Sequence, residues 1–329
     1  MSQTEPPSQA SPMKTRMELA AKTKDEDKLY KRDGVLYSTI LSPPETMDKL
    51  KDLEVRDDDV VLVAYPKCGF NWVVAVLRKI MNASTGKNEA PPERPPLVEF
   101  LPPDVQQTLS EMPSRRLLGT HLHPDNMPAS FFSRKPKILV IFRNPKDTLV
   151  SYFHFMNKNP VLPSAEPWDK FYSDFMSGEV PWGSYFDHAL AWEKLIDDPK
   201  VMIVMYEELK QNLPEEVKKI SEFFGFPLTE EQVNSIAEQS TFRAMLETSN
   251  KSHGNLGSVF FRKGEVGDWK NLFSEDQSKQ MDEVFHSKMA GTKLGAQMNT
   301  VLKLRAGDER YINSILEVLH IQSQNKTIS

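Results

Sequence analysis

The chain has 329 residues, 39% of them hydrophobic and 26% charged, with a formal net charge of −5. That length suits one large α/β domain or two small ones around a sizeable core. The mildly acidic balance argues against bulk nucleic-acid binding but leaves room for a local basic pocket. A single cysteine, Cys68, excludes an intrachain disulfide and a cysteine-rich zinc site, and fits a reducing compartment. The first residues, "MSQTEPPSQASPMKTR", contain no apolar stretch of signal-peptide type, and no run approaches the length of a membrane span. The expectation is a cytoplasmic protein with neither nucleic-acid nor membrane partners.

Residues 1–35 are rich in Ser, Pro, Lys and Glu and lack apolar periodicity, which predicts a flexible N-terminal extension. "VVLVAY" (60–65) is a continuous apolar run, the pattern of a strand buried on both faces. "NWVVAVLRKIMN" (71–82) has helical length and spacing, and the Pro-rich stretch after it is loop. "RLLGTHL" (116–122), "KILVIFR" (137–143) and "VMIVMY" (201–206) read as further strands. "KDTLVSYFHFMN" (146–157) and "YFDHALAWEKLID" (185–197) read as helices. "PEEVKKISEFFG" runs from Pro to Gly as helices often do. Thr229–Gln232 and Ser274–Gln277 are capping boxes that open two more. Strands alternating with helices predict an α/β fold, a single domain (36–295) with a mainly parallel central sheet flanked by helices. Residues 296–329 form a C-terminal tail with one amphipathic helix candidate, Tyr311–Leu319, and no internal repeat is visible.

The chemistry concentrates at strand ends, where parallel sheets hold their ligands. "AYPKCGFNW" (64–72) joins a strand to a helix, so free helix N–H groups and the positive end of the helix meet there. Lys67 adds a movable cation, and Gly69 lets a ligand approach the backbone. The usual Gly-x-x-x-x-Gly-Lys-Ser/Thr loop is absent. At the next strand end Arg143 can hold an oxyanion bidentately, with Ser151 two turns into the following helix. In "FFRKGEVGDWKN" (260–271), Arg262, Lys263 and Gly264 form a cationic turn. His121, at a further strand end, can accept a proton near neutral pH. His123 shares its strand face, but no carboxylate or Cys neighbour completes a metal set, so no metal is expected. Taken singly, each piece has a plainer reading: a Pro-Gly turn with a solvated lysine, a surface ion pair, a solvated basic loop, a packing histidine.

Six stretches in this order, "YPKCGFNW", "THL", "RNPKDTLVSYFHF", "YEEL", "STFRAM" and "FRKGEVGDWKN", resemble the cytosolic sulfotransferase family, and within it subfamily 6B, over roughly residues 40–290. The resemblance implies 3'-phosphoadenosine 5'-phosphosulfate as donor and a strand-loop-helix phosphosulfate-binding motif. It implies that Lys67 and the backbone of Cys68, Gly69, Phe70, Asn71 and Trp72 hold the 5'-phosphosulfate. Arg143, Ser151, Arg262, Lys263 and Gly264 would hold the 3'-phosphate. Trp72, Ser240, Phe242 and Phe261 would frame the adenine, with Tyr206 also lining the nucleotide site. It further implies in-line transfer of a sulfonate to the hydroxyl of a small hydrophobic acceptor. In that transfer His121 is the base and Lys67 stabilises the leaving phosphate. A phenolic, iodothyronine-like acceptor such as thyroxine suits a histidine base. Segments 97–104, 121–131, 156–185 and 243–258 would form its pocket, with Phe100, Phe155, Trp168 and Phe171 as candidate walls.

The chain departs from the family pattern at defined places. Cys68, Phe70 and Asn71 stand where the family has Ser, Thr and Thr, and Gly119 stands where it often has a Lys two residues before the His. Ser274-Glu275 and Lys279 replace the Thr-Val and Glu of the family's dimer motif, so a family-type homodimer is not implied. Two competing readings follow. One is a nucleotide-binding protein of this fold with weak catalysis, against which Lys67 and His121 argue. The other is a nucleotide kinase, which would need a magnesium motif that is not seen. Cys68, beside Lys67 at a helix N-terminus, reads either as a small buried substitute for Ser or as a thiol of lowered pKa open to oxidation.

Overall fold

Four of the apolar runs meet in one sheet. A computed structural model describes residues 12–86, 96–253 and 262–306. Strands β1 (Leu29–Arg32) and β2 (Val35–Ser38) form a separate antiparallel hairpin. Its two-residue turn, Asp33-Gly34, has positive φ at both positions, as a tight hairpin requires. Strands β3 (Val60–Ala64), β4 (Leu117–Thr120), β5 (Lys137–Phe142) and β6 (Val201–Met205) form the expected parallel sheet in the order β4-β3-β5-β6. The register sets Leu62 opposite both Gly119 and Leu139, and Ile141 opposite Val204. Every residue of β3 is fully buried, which is why its sequence is an unbroken apolar run rather than an alternating one.

This order places a topological switch between β3 and β5. The chain leaves β3 toward β4 on one side and leaves β5 toward β6 on the other, opening a crevice at their carboxyl ends.

Helices surround the sheet. They are α1 (Pro12–Lys22), α2 (Phe70–Thr85), α3 (Pro145–Lys158), α4 (Trp168–Ser177), α5 (Tyr185–Glu193), α6 (Tyr206–Gln211), α7 (Leu213–Phe224), α8 (Glu230–Gln239), α9 (Phe242–His253), α10 (Glu275–Met289) and α11 (Lys293–Ala306), with shorter turns such as Pro44–Leu50 between them. Both predicted capping boxes are present, on Thr229 and Ser274.

Two expectations about the ends need correction. Residues 12–35 are not a loose extension. Helix α1 and strand β1 lie within them, Ala20 is buried, the Arg16 guanidinium donates to the Phe100 carbonyl at 2.5 Å, and Lys28 pairs with Asp25 at 2.6 Å. Polar anchors act together with a few scattered apolar contacts (Met17, Ala20, Leu29, Tyr30), too sparse to give a periodic pattern. The boundary at 295 falls inside α11, whose Leu294 and Met298 are fully buried. The Glu193 carboxylate caps that helix, accepting the N–H groups of Lys293 and Leu294 at 2.8 Å each. The candidate helix Tyr311–Leu319 lies outside the described residues.

One buried ion pair fastens the start of β3 to the start of β4. Arg116 and Asp59 are 2% and 1% exposed. Nε of Arg116 donates to Asp59 Oδ1 at 2.8 Å, and its Nη2 also bonds the other carboxylate oxygen. The remaining donors reach the carbonyls of Leu109 and Glu54. Removing one partner strands the other charge in the interior. Asp59→Ala is therefore expected to cost about 3–5 kcal/mol, read as a lower midpoint in urea unfolding.

Candidate functional site

The turn after β3 is wound tightly. Lys67 has φ +71° and Gly69 φ +104°. The first value is costly for a residue with a Cβ and marks a turn held by its surroundings. The N–H of Cys68 is spent inside the turn on the Tyr65 carbonyl at 3.1 Å. Helix α2 starts at Phe70, and no side chain caps it. Its first-turn N–H groups, through Trp72, therefore have no intrahelical acceptor and point toward the crevice mouth. A Cβ on Gly69 would stand 2.8 Å from the Tyr206 ring, so the aromatic ring and the turn can be this close only because position 69 is bare.

The cations converge from three elements. The ammonium of Lys67 sits 4.0 Å over the Phe155 ring. Burial, then the nearby Arg143 and Arg262 charges, push its pKa down to about 7. Arg143 leaves β5 with its guanidinium over Tyr206 at 4.4 Å. It donates to the carbonyls of Lys67 (3.3 Å) and Glu265 (2.9 Å). Tyr185 holds Arg143 from behind through its carbonyl at 2.6 Å. Arg262 and Lys263 both pair with Asp268, the latter at 2.6 Å. Burial alone would raise the pKa of Asp268. Hydrogen bonds from Lys263, Arg262 and Asn271 outweigh it and hold the carboxyl well below its ordinary range. The loop itself hangs on Asp147 of α3, which accepts the N–H groups of Gly267 and Trp269 at 2.7 and 3.1 Å. The buried Nε–H groups of Arg143 and Arg262 find no acceptor among the described residues. Two guanidiniums lining one cleft, each with a donor not taken by the protein, suit an oxyanion.

His121 forms the other side of the cleft. Its Nδ1 is 2.6 Å from the Ala64 carbonyl, an acceptor only. Nδ1 must therefore carry the hydrogen, which leaves Nε2 bare. The backbone N–H of His121 donates to Glu99 Oε1 at 2.7 Å. Burial lowers the His121 pKa to about 4, with Lys67 adding to the shift and the Ala64 bond opposing it. Burial raises that of Glu99 to about 7. Aromatic rings enclose the imidazole: Phe70 at 4.9 Å, Trp182 at 5.7 Å and Phe100 at 6.3 Å between centroids. Trp182 has φ +64°. It keeps that conformation because its N–H is fixed to Leu36 of β2 and the neighbouring Pro181 and Gly183 carbonyls to Tyr152 and Tyr65, each at 2.8 Å.

One cleft joins these parts. Its walls include Lys67, Gly69, Phe70, Asn71, Trp72, His121, Arg143, Ser151, Tyr206, Phe242, Arg262, Lys263 and Gly264, nearly all the residues anticipated from sequence. Gly264 packs so closely on Phe242 that a Cβ would overlap the ring at 2.0 Å. Ser240 is not a wall; it is buried behind the site, its carbonyl accepting from Trp72 Nε1 at 2.6 Å and its hydroxyl from Lys79 at 3.0 Å. Phe261 lies outside the described residues. Cys68 does not line the cleft either. Its thiol is fully buried, 3.6 Å from the Thr148 hydroxyl, and burial raises its pKa to about 12. The lowered-pKa reading of this thiol is thereby corrected: desolvation outweighs the nearby cations. Trp168 and Phe171 belong to the core around Phe153 rather than to the cleft. Sequence reasoning missed Glu99, Trp182, Asp147 and Asp268. A carboxylate in a helix's first turn ("NPKD") was the one available signal among them.

A family profile described as "Sulfotransferase domain" matches residues 57–293. Sulfotransferase 6B1 of Danio rerio is 80% identical over 88% of this chain and 98% of its own length. Sulfotransferase 6B1 of Homo sapiens is 48% identical over 80% and 87%. The crystal structure of mouse sulfotransferase SULT7A1 complexed with PAP superposes with a TM-score of 0.74 at 34% identity, covering 83% of this chain and 98% of the mouse chain.

The burial of Cys68 has a direct consequence. A water-soluble disulfide reagent should leave this sole thiol unmodified in the native protein and titrate it fully after denaturation. Fast native modification would contradict the burial.

Proposed function

The chain belongs to the sulfotransferase family, and from that premise we propose that its cleft holds the donor across the β3–β5 crevice and presents His121 as base to a phenolic hydroxyl. The enzyme is a sulfotransferase that uses 3'-phosphoadenosine 5'-phosphosulfate. That donor supplies an activated sulfonate at one end and a phosphate anchor at the other. The residues fit such a ligand. The Lys67 turn and the open end of α2 suit the phosphosulfate. The unspent donors of Arg143 and Arg262, with Lys263, Gly264 and Ser151, suit the second phosphate. Trp72, Tyr206 and Phe242 offer faces for the base.

The observation that carries the reading is that Lys67 and bare-Nε2 His121 line one cleft, cationic on one side and aromatic on the other. Nε2 of His121 takes the acceptor's proton, and the Ala64 carbonyl steadies the imidazolium that results. Lys67, charged when an anion sits against it, stabilises the departing phosphate oxygen. The aromatic side, with Leu41, Phe70, Leu97, Phe100 and Trp182, favours a flat apolar acceptor and excludes water from the base. A histidine whose pKa is held near 4 is a weak base, which favours a phenol of pKa about 10 over an alkyl alcohol. An iodothyronine such as thyroxine is a candidate of this class. No helix among the described residues is long and apolar enough to cross a membrane.

Three measurements test this. His121→Ala should lower kcat by about 10²–10⁴-fold while calorimetry shows 3'-phosphoadenosine 5'-phosphate binding nearly unchanged. Retained turnover would remove the base. Arg262→Ala should weaken that binding about 10–100-fold, the worth of one charged hydrogen bond. Lys67 binds an anion in its protonated form, so in the free protein its charge is lost as pH rises through about 7. Product affinity should therefore fall on going from pH 6 to pH 9, and Lys67→Met should flatten that slope.

A further inference from the structure

Gly119 has an ordinary extended backbone in the middle of β4, so its lack of a side chain is not demanded by its dihedral angles. It is demanded by space. A Cβ there would stand 2.4 Å from Cζ and 2.8 Å from Cε2 of Phe70. The strand cannot retreat, because Gly119 lies in register beside Leu62 and donates its N–H to the Pro96 carbonyl at 2.7 Å. Phe70 is 5% exposed, and its ring lies on the His121 imidazole edge-to-face, nearer than Trp182 or Phe100.

We propose that Phe70, seated on the bare Cα of Gly119, is the positioning residue of His121: its ring fixes the tilt of the imidazole and keeps water from it. The two positions act as one unit. A side chain at 119 displaces the ring, and the ring's nearest aromatic neighbour is the imidazole. Loss of the ring opens the imidazole to solvent instead. This inference rests on the reading of His121 as base, and it predicts effects on the imidazole itself that do not depend on catalysis. The charged and titratable groups around His121 are Lys67 across the cleft, Glu99 behind its N–H, and His188 on α5. None of them is altered by the substitutions below. Burial is what holds the His121 pKa low, so admitting water must move it upward, toward the ordinary histidine value.

The test uses the full chain in four forms: wild type, Phe70→Ala, Gly119→Ala and the double variant. Two readouts are taken, the NMR titration of the His121 imidazole and steady-state kinetics with a simple phenol, with 3'-phosphoadenosine 5'-phosphate affinity as control. Phe70→Ala should raise the imidazole midpoint by about one pH unit or more. Gly119→Ala should lower kcat about tenfold or more, with product affinity little changed. Phe70→Ala added to Gly119→Ala should cost little beyond the larger single loss, because both act through the same ring. An unmoved midpoint in Phe70→Ala overturns the proposal, as does a double variant whose loss in kcat is the product of the two single losses. If Gly119→Ala fails to fold, Phe70→Ala alone decides through the titration. A shifted midpoint with unchanged turnover in Phe70→Ala and no turnover loss in His121→Ala would keep Phe70 as the positioning residue and reject His121 as the base.

Discussion

Everything in this molecule is arranged around one constraint: strand β3 is buried on both faces and flanked by parallel neighbours on both edges. A parallel sheet puts all its carboxyl ends at one margin, and the order β4-β3-β5-β6 parts the connections beside β3. The turn after β3 therefore rises at the crevice where those connections diverge. Lys67, Arg143 and His121 follow three adjacent strands, β3, β5 and β4, and so arrive at one cleft although they are far apart in sequence. None of the three requires a long flexible loop to reach its place.

Charge is the second constraint. Lys67, Arg143 and Arg262 gather where burial makes a charge costly, and the exposed Lys263 stands beside them. The protein meets that cost in three ways: an aromatic face under Lys67, carbonyl acceptors for Arg143, and one carboxylate, Asp268, shared by Arg262 and Lys263. Asp147 fixes the loop by its backbone without neutralising the cations directly. A site organised in this way retains unspent donors for an anion while staying folded without one.

The departures from the family pattern make sense as packing. Cys68 lies in the interior beside Thr148 and has no access to the cleft. Phe70 occupies the volume that a side chain at 119 would fill. Two substitutions that look in sequence like separate losses, of a hydroxyl and of an ammonium, are in space a single exchange of polar groups for an aromatic contact on His121. Lys67 and His121 line the same cleft as that contact.

Local patterns in the sequence were enough to anticipate the four parallel strands, six of the helices (α2, α3, α5, α7, α8 and α10) and the cationic residues of the cleft. Unbroken apolar runs, capping residues and basic turns at strand ends are local signals, each tied to a local physical demand. The six motifs located most of the cleft's residues for the same reason. The Asp33-Gly34 hairpin was not anticipated, because the polar residues around its two-residue turn read as a flexible extension. Other features had no local signature: Glu99 behind His121, Trp182 pinned by β2, Tyr65 and Tyr152, the anchoring of residues 12–35, the cap of Glu193 on α11, and the interlock of Phe70 with Gly119. Each joins residues remote in sequence. Their meaning lies in who occupies the adjacent space and whether water is excluded there, and only the packed tertiary structure decides that.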